Sequence, residues 1–253
     1  MLRRWNWFGS IPSTTWYDHL AGDVGVVVVA AGQGLRFGGA VRKQYCEVLG
    51  VPLLLYALRP FAAHPDVAQV TVVLPPEDAE APPTWLAEVA GGRLEVVAGG
   101  AERSDSVAAG VATLPEECQV ILVHDGARPF PDRSVIDAVI TAARRGVGAV
   151  AAVPLSDTVK ATVPGSDPPR VARTVPREGL WRAQTPQGFP RSALEAALRL
   201  AGTDRGLATD DAALVEATGT EVVIVRDTTR NIKVTTPDDL VIAEALARER
   251  VGR

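Results

Sequence analysis

The sequence predicts an α/β fold: a doubly wound, mostly parallel sheet with helices on both faces and a projecting β-hairpin arm. Short valine-rich runs recur along the 253-residue chain and leave room for a helix between them. Most of these runs have no polar side that could face water, as expected for parallel strands covered on both faces. Sheets of this kind bind ligands at the carboxyl ends of their strands.

The predicted strands are the apolar runs, and the predicted helices are amphipathic stretches between and after them. The strands are Val24–Ala30, Val70–Leu74, Leu94–Ala98, Val120–Val123, Val147–Val153 and Glu221–Val225. The helices are Leu53–Ala63, Ser104–Leu114, Asp132–Arg145, Arg191–Ala201, Asp210–Thr218 and Pro237–Arg250. Asp132 and Gly146 supply the start and stop signals of one of these helices.

The proline-rich stretch 155–187 interrupts this alternation. Thr158–Val163 and Arg170–Val175 alternate in the manner of strands around the turn sequence PGSDPP, which predicts a hairpin. The edges of a projecting hairpin are usually covered in a globular protein. A partner subunit's arm is the simplest cover, so we expect a homodimer that forms through this arm.

Residues 1–22 differ from the rest of the chain. They hold three of the five tryptophans and show neither helical nor strand periodicity, and no signal-peptide stretch follows Arg3 and Arg4. We expect an unstructured leader, or alternatively an arm that docks on a partner subunit. The remaining residues, 23–253, are predicted to form a single domain.

Composition excludes several classes of protein. The net charge of −4 gives no general basic surface for nucleic acid. No apolar run approaches the roughly 20 residues of a membrane span. Cys46 and Cys118 match neither a disulfide framework nor zinc spacing, which indicates a reduced, cytoplasmic protein. We therefore expect neither nucleic acid nor membrane as a partner.

The loop after the first strand combines glycines with two cations. Bare N–H groups around Gly32 and Gly34 could hold phosphate oxygens, and Arg36 and Lys43 add positive charge, as a triphosphate requires. The dinucleotide pattern GxGxxG fails because its third glycine would fall at Phe37, and the P-loop pattern is absent. A purely structural glycine turn remains the alternative.

Five segments resemble one enzyme family. AAGQGLRFGGAVRKQY (30–45) resembles nucleotidyltransferases that couple a nucleoside triphosphate to a phosphorylated sugar or polyol. GGAERSDSV (99–107), VHDGARP (123–129), DTVK (157–160) and NIKVTTPDDL (231–240) narrow the resemblance to the 2-C-methyl-D-erythritol 4-phosphate cytidylyltransferase family. The resemblance extends over about residues 24–250, with the segments in the family's order.

The resemblance implies a site with three groups of residues. The catalytic cations would be Arg36, Lys43 and Lys233. The CTP contacts would be Ala30, Ala31, Gly32, Gly34, Gly100, Ser106 and Asp125. The acceptor contacts would be Arg128, Thr158, Arg177 and Thr209, of which the two on the hairpin would serve the neighbouring subunit. Lys233 is expected inside an alternating strand.

Several residues have more than one interpretation. Asp125, at the end of an apolar strand, suits one Mg²⁺ that keeps most of its waters, but it could also be a loop-capping aspartate. Whether Asp227 supplements it stays open. Arg42 replaces the proline usual in the family and is expected to face solvent, and Arg103 is expected to support its loop. His124 is interpreted as structural.

The implied reaction transfers CMP from CTP to 2-C-methyl-D-erythritol 4-phosphate. It gives 4-diphosphocytidyl-2-C-methyl-D-erythritol and pyrophosphate, with Mg²⁺ as cofactor. The nearest alternative is a ribitol 5-phosphate cytidylyltransferase, and a more distant one uses UTP or GTP. A catalytically inactive nucleotide-binding protein is the alternative from a different class.

Overall fold

The computed structural model describes residues 22–32, 42–89, 93–201 and 210–251. The described strands are β1 (Val24–Val29), β2 (Glu47–Val48), β3 (Val51–Pro52), β4 (Val67–Leu74), β5 (Leu94–Ala98), β6 (Val120–Asp125), β7 (Gly148–Pro154), β8 (Val159–Thr162), β9 (Val171–Val175), β10 (Trp181–Pro190) and β11 (Val222–Arg226). The described α-helices are α1 (Leu53–Ala62), α2 (Pro76–Glu80), α3 (Arg103–Ala112), α4 (Arg133–Arg144), α5 (Arg191–Ala201), α6 (Asp211–Glu216) and α7 (Pro237–Val251). Two short 3₁₀ turns cover Lys43–Tyr45 and Thr84–Glu88.

Seven of the described strands form the central sheet, in the order β11-β7-β10-β6-β1-β4-β5. Strand β1 pairs in parallel with β4 on one side and β6 on the other, and β4–β5 and β7–β11 are also parallel. The chain therefore leaves β1 toward one edge of the sheet and later returns to its other side. This reversal places a ligand-binding crevice at the carboxyl ends of β1 and β6.

Helices cover both faces of the sheet, which confirms the predicted fold class. In β1, Val26 and Val28 face a core built with α1 and α4, whereas Val27 faces a second core built with α3, α5 and α6. Both cores are apolar, and burial of each such side chain contributes about 1.5–3 kcal/mol. The continuous valine runs therefore reflect burial on two faces.

Strand β10 is absent from the sequence-based prediction, although it lies in the middle of the sheet. It pairs antiparallel with both β6 and β7. Pro186 and Pro190 argue against a central strand because proline cannot donate to the ladder. The structure accommodates Pro186 at an irregularity, where the register with β7 shifts between Ala183 and Gln187. Pro190 is the last residue of the strand.

Strands β8 and β9 pair antiparallel in a separate two-stranded sheet, in agreement with the predicted pairing. The Nζ atom of Lys160 donates to Oγ1 of Thr174 across the pair, at 2.7 Å. Val171 is 61% exposed, so this sheet has an apolar side chain open to solvent. Dimerisation through this arm stays a prediction.

The expected leader, residues 1–22, lies outside the described residues except for Gly22. Among the described helices, none combines the length and the apolar character needed to cross a membrane.

Helix α4 packs closely against the sheet at Gly188 of β10. A Cβ atom at this position would lie 2.4 Å from Cγ1 of Val139 and 2.7 Å from Cδ2 of Leu122. Both neighbours are fully buried, so neither has free space to move into. The inserted strand depends on a residue without a side chain at this point.

We predict that Gly188→Ala lowers the free energy of unfolding by about 1–3 kcal/mol, because the added methyl group overpacks the core. Urea denaturation of both proteins measures the difference. Gly32→Ala is the matched control, since a Cβ there meets no atom within 4 Å. Wild-type stability of the Gly188→Ala protein would contradict this account of the packing.

Candidate active site

A cleft of about 240 Å³ lies at the carboxyl ends of β1 and β6. Three loops and a distant segment near the end of the chain contribute to it. Its lining residues are Val29, Ala30, Ala31, Gly32, Lys43, Gln44, Gly100, Ala101, Glu102, Arg103, Ser106, Asp125, Gly126, Ala127 and Lys233. The described residues that are predicted to bind CTP or to act as catalytic cations therefore all line one cleft.

Asp125 is the charged centre of this cleft. Its Oδ2 atom lies 2.8 Å from Nζ of Lys233 and 3.6 Å from Nε of Arg128, and its Oδ1 atom lies 3.3 Å from Nη2 of Arg103. Burial alone would raise the pKa of Asp125, but the three cations outweigh it and hold the pKa well below its usual range. Asp125 is therefore an anion at neutral pH.

Lys233 reaches Asp125 from an irregular segment, so the prediction of a strand around it is wrong. Residues 231–236 form no ladder with the sheet. The N–H group of Val234 donates to the carbonyl oxygen of Ala127 at 2.8 Å, and the buried Val234 side chain packs in a small core with α7. The apolar–polar alternation comes from an extended segment that lies on this core.

A buried polar network fixes this segment at Asn231. Nη1 of Arg128 and Nε2 of Gln184 both donate to the Asn231 carbonyl oxygen, at 2.8 and 2.9 Å. The Asn231 side-chain amide donates to the Thr185 carbonyl oxygen and to Oδ2 of Asp227. Strand β10 thus anchors the segment that carries Lys233.

Arg128 belongs to this buried polar network and does not line the cleft. Its side chain is largely buried, and its guanidinium points to Asn231 and Asp125. The structure does not bring this residue to the cleft surface, so its contact with an acceptor stays a prediction. The sequence does not show that an arginine in a loop is buried, so this position of Arg128 could not be predicted.

The loop between β5 and α3 approaches the cleft with its backbone. A Cβ atom on Gly99 would lie 2.4 Å from Cβ of Ala31, so the two loops touch here. The N–H group of Gly100 donates to Oγ of Ser106, whose hydroxyl donates to the carbonyl oxygen of Glu102. Glu102 caps α3, in a reciprocal capping box with Asp105.

The 3₁₀ turn at Lys43–Tyr45 brings Lys43 to the cleft. Nε2 of the buried Gln44 donates to the carbonyl oxygen of Ala30 at 2.9 Å, which ties the turn to the end of β1. Arg42 was expected to face solvent, and its side chain is 29% exposed outside the cleft lining. It pairs with Glu77 and with Asp78, whose Oδ2 atom lies 3.3 Å from Nε of Arg42.

Arg103 was expected only to support its loop, but it lines the cleft. Besides the contact with Asp125, its Nη1 atom lies 2.5 Å from Oδ2 of Asp211. Burial opposes the charge of Arg103, yet the two carboxylates raise the pKa of the guanidinium above its ordinary value. Asp211 lies 108 residues away in sequence, which explains why no local pattern indicated the pair.

His124 is fully buried between two hydrogen-bond partners, in agreement with its structural interpretation. Its Nε2 atom lies 2.9 Å from the Arg128 carbonyl oxygen, and Nδ1 lies 3.0 Å from Oγ1 of Thr185. Burial lowers the pKa of His124 to about 4, so the ring is neutral at neutral pH.

The remaining predicted site residues lie away from the cleft or outside the described residues. Thr158 and Arg177 are exposed next to β8 and β9, and Nη1 of Arg177 donates to the Ser156 carbonyl oxygen. Gly34, Arg36 and Thr209 fall outside the described residues. The roles of these residues stay predictions.

Two of the described residues with carboxylate side chains, Asp125 and Glu102, line this cleft, and the Glu102 side chain caps α3. The described residues contain no group of three histidine, cysteine, aspartate or glutamate side chains that could hold a metal ion. Asp227 does not line the cleft, since its carboxylate accepts from Asn231 and from the N–H group of Thr228. Mg²⁺ is often bound by one or two carboxylates together with substrate phosphates, so an ionised Asp125 fits such an ion.

Comparisons with known proteins agree on one family. The family model for IspD, 2-C-methyl-D-erythritol 4-phosphate cytidylyltransferase, matches residues 24–249. The enzyme of that name from Solibacter usitatus is 38% identical over 242 residues, which cover 91% of this chain and 98% of the relative. The bifunctional enzyme IspD/IspF of Rhodospirillum rubrum is 45% identical over 238 residues, 90% of this chain but 59% of that longer relative.

Solved structures give the same result. The crystal structure of 2-C-methyl-D-erythritol 4-phosphate cytidylyltransferase from Thermus thermophilus superposes with a TM-score of 0.73 at 37% identity. The match covers 89% of this chain and 98% of that structure. By sequence and by fold, this chain belongs to the 2-C-methyl-D-erythritol 4-phosphate cytidylyltransferase family.

Proposed function

We propose that this chain transfers CMP from CTP to 2-C-methyl-D-erythritol 4-phosphate, a reaction of isoprenoid precursor biosynthesis. One observation carries the proposal. The chain has three lysines, and two of them, Lys43 and Lys233, line the cleft that holds Asp125. Cations converge there on a carboxylate at the carboxyl ends of parallel strands, the place where an α/β sheet binds its ligand.

The nucleotide would lie between the two glycine-containing loops. The backbone of Ala30–Gly32 would face its phosphates, and the loop with Gly100 and Ser106 would hydrogen-bond the base. A site whose buried polar groups match one base discriminates strongly, because a different base leaves them unpaired. The family resemblance implies an aspartate at the position of Ala101. Because alanine has no polar side chain, a hydrogen bond to the base at this position would come from the backbone.

The reaction needs charge neutralisation more than proton transfer. An oxygen of the acceptor phosphate attacks the α-phosphorus of CTP in line, and the bond from that phosphorus to the pyrophosphate oxygen breaks. The nucleophile is already an anion, so no general base is required. Lys43 and Lys233, with Arg36, would stabilise the charge that develops on the α-phosphate and the leaving group.

Mg²⁺ would bind the triphosphate and Asp125, and when bound it would neutralise phosphate charge. The contribution of the chain is an ionised carboxylate whose two oxygens are oriented by Arg103 and Lys233. Lys233 is 42% exposed at its side chain, so its ammonium group can leave Asp125 and contact a phosphate.

The acceptor would be held by a second subunit. Thr158 and Arg177 are exposed, next to β8 and β9, and do not line the cleft of their own chain. A homodimer formed through this arm would carry both residues to the partner's cleft. The cytoplasmic location that the two free cysteines suggest also remains a prediction.

The direct test is pyrophosphate release from CTP and Mg²⁺, with 2-C-methyl-D-erythritol 4-phosphate and ribitol 5-phosphate offered separately. We expect release with the first acceptor alone. Release with ribitol 5-phosphate alone would move the chain to the polyol branch. CTP binding without release from either acceptor would contradict the proposed reaction and indicate a nucleotide-binding protein.

We predict that Lys233→Met and Lys43→Met each lower kcat by roughly 100- to 1,000-fold, because each removes a cation that stabilises the transition state. Circular dichroism should show an unchanged fold. The third lysine provides the matched control: Lys160 lies on β8 and contacts Thr174, so Lys160→Met should retain activity. Turnover near the wild-type rate in either cleft variant would contradict the assigned roles.

A further inference from the structure

Asp211 is a buried carboxylate that does not itself line the cleft. It is the first residue of α6 and has no exposed surface. Its Oδ2 atom pairs with Nη1 of Arg103, and its buried Oδ1 atom has no hydrogen-bond partner within the described part of the chain. A buried carboxylate is costly without a cation, so Asp211 holds Arg103 firmly in place.

The same guanidinium extends into the cleft at its other nitrogen. Nη2 of Arg103 lies 3.3 Å from Oδ1 of Asp125. Because a guanidinium is planar and its nitrogens are rigidly linked, fixing Nη1 on Asp211 also fixes the direction of Nη2. A lysine at this position could contact one carboxylate but could not bridge both in a fixed geometry.

The two oxygens of Asp125 have different cationic neighbours. Lys233 and Arg128 both approach Oδ2, whereas Arg103 approaches Oδ1. The backbone of Arg103 is also fixed, since it is the first residue of α3 and follows the capping residue Glu102. The rotation of the Asp125 carboxylate about its Cβ–Cγ bond is therefore set from two opposite sides.

We propose that Asp211 and Arg103 are positioning residues, which together hold the Asp125 carboxylate in the orientation that receives the magnesium–triphosphate group. This inference rests on the proposed function. Asp211 acts only through Arg103. Removal of the Asp211 carboxylate should therefore reduce the gain in CTP affinity that Mg²⁺ gives, and should leave the CTP affinity without Mg²⁺ unchanged.

The test separates positioning from folding with the variants Arg103→Met, Asp211→Asn and the double variant. CTP affinity is measured by calorimetry with Mg²⁺ and with EDTA, without any acceptor, and thermal unfolding is recorded in parallel. Arg103→Met leaves the fully buried Asp211 carboxylate without its cation and should lower Tm, whereas Asp211→Asn leaves Arg103 partly exposed and paired with Asp125, so its Tm should fall less. The double variant removes both charges, so its Tm should recover.

Despite this recovery, the double variant should lose the gain in CTP affinity that Mg²⁺ gives, by roughly tenfold or more, as expected when an outer partner of a metal ligand is lost. Its affinity in EDTA should stay within about threefold of wild type, because the net charge of the region is unchanged. Arg103→Lys keeps the charge without the bridge and should show the same Mg²⁺ defect.

Arg191→Met is the matched control. Arg191 donates to the carbonyl oxygens of Leu114, Pro115 and Cys118, and none of these residues lines the cleft. It should lower Tm and leave the Mg²⁺ effect on CTP affinity unchanged.

The inference is overturned if the double variant recovers both Tm and the wild-type Mg²⁺ effect, or if Arg103→Lys shows the wild-type Mg²⁺ effect. In those cases the pair serves stability alone. The calorimetric assay contains no acceptor, so its result does not depend on turnover. Wild-type protein that binds Mg²⁺ and CTP in this assay but releases no pyrophosphate when the acceptors are supplied would refute the proposed reaction and leave this comparison intact.

Discussion

The buried carboxylate of Asp125 is the contact point for cations in and beside the cleft. Asp125 is the last residue of a central strand, and three cations from three separate segments meet on its two oxygens. Asp211 also holds Arg103, whereas Lys233 pairs with Asp125. The carboxylate therefore offsets part of the repulsion among the cations at the place where a triphosphate would bind.

The sheet topology makes this arrangement possible. Strand β6 lies beside β1, so Asp125 is next to the loop that begins at Ala30. On the other side, β10 carries Gln184 and Thr185, which hold Asn231 and with it the segment of Lys233. The antiparallel strand that interrupts the parallel sheet thus connects the end of the chain to the cleft.

Sequence patterns predicted what depends on local burial. The valine runs gave the parallel strands, and the resemblance of five segments gave the family and the described cleft residues around Asp125. Sequence patterns failed where contacts between distant residues determine the structure. Strand β10 was not predicted because Pro186 argues against a strand, and the irregularity that accommodates this proline depends on pairing with β7. The Arg103–Asp211 pair joins residues 108 positions apart, and Lys233 alternates with buried residues without belonging to a strand.

The most direct test of the central claim is the effect of Asp125→Asn on CTP affinity, measured by calorimetry with and without Mg²⁺. We predict that the variant loses the gain in affinity that Mg²⁺ gives. Without Mg²⁺ it should bind CTP at least as tightly as wild type, since one negative charge near the phosphates is gone. An Asp125→Asn protein with the full Mg²⁺ effect would contradict the account, because the cation would then not depend on this carboxylate.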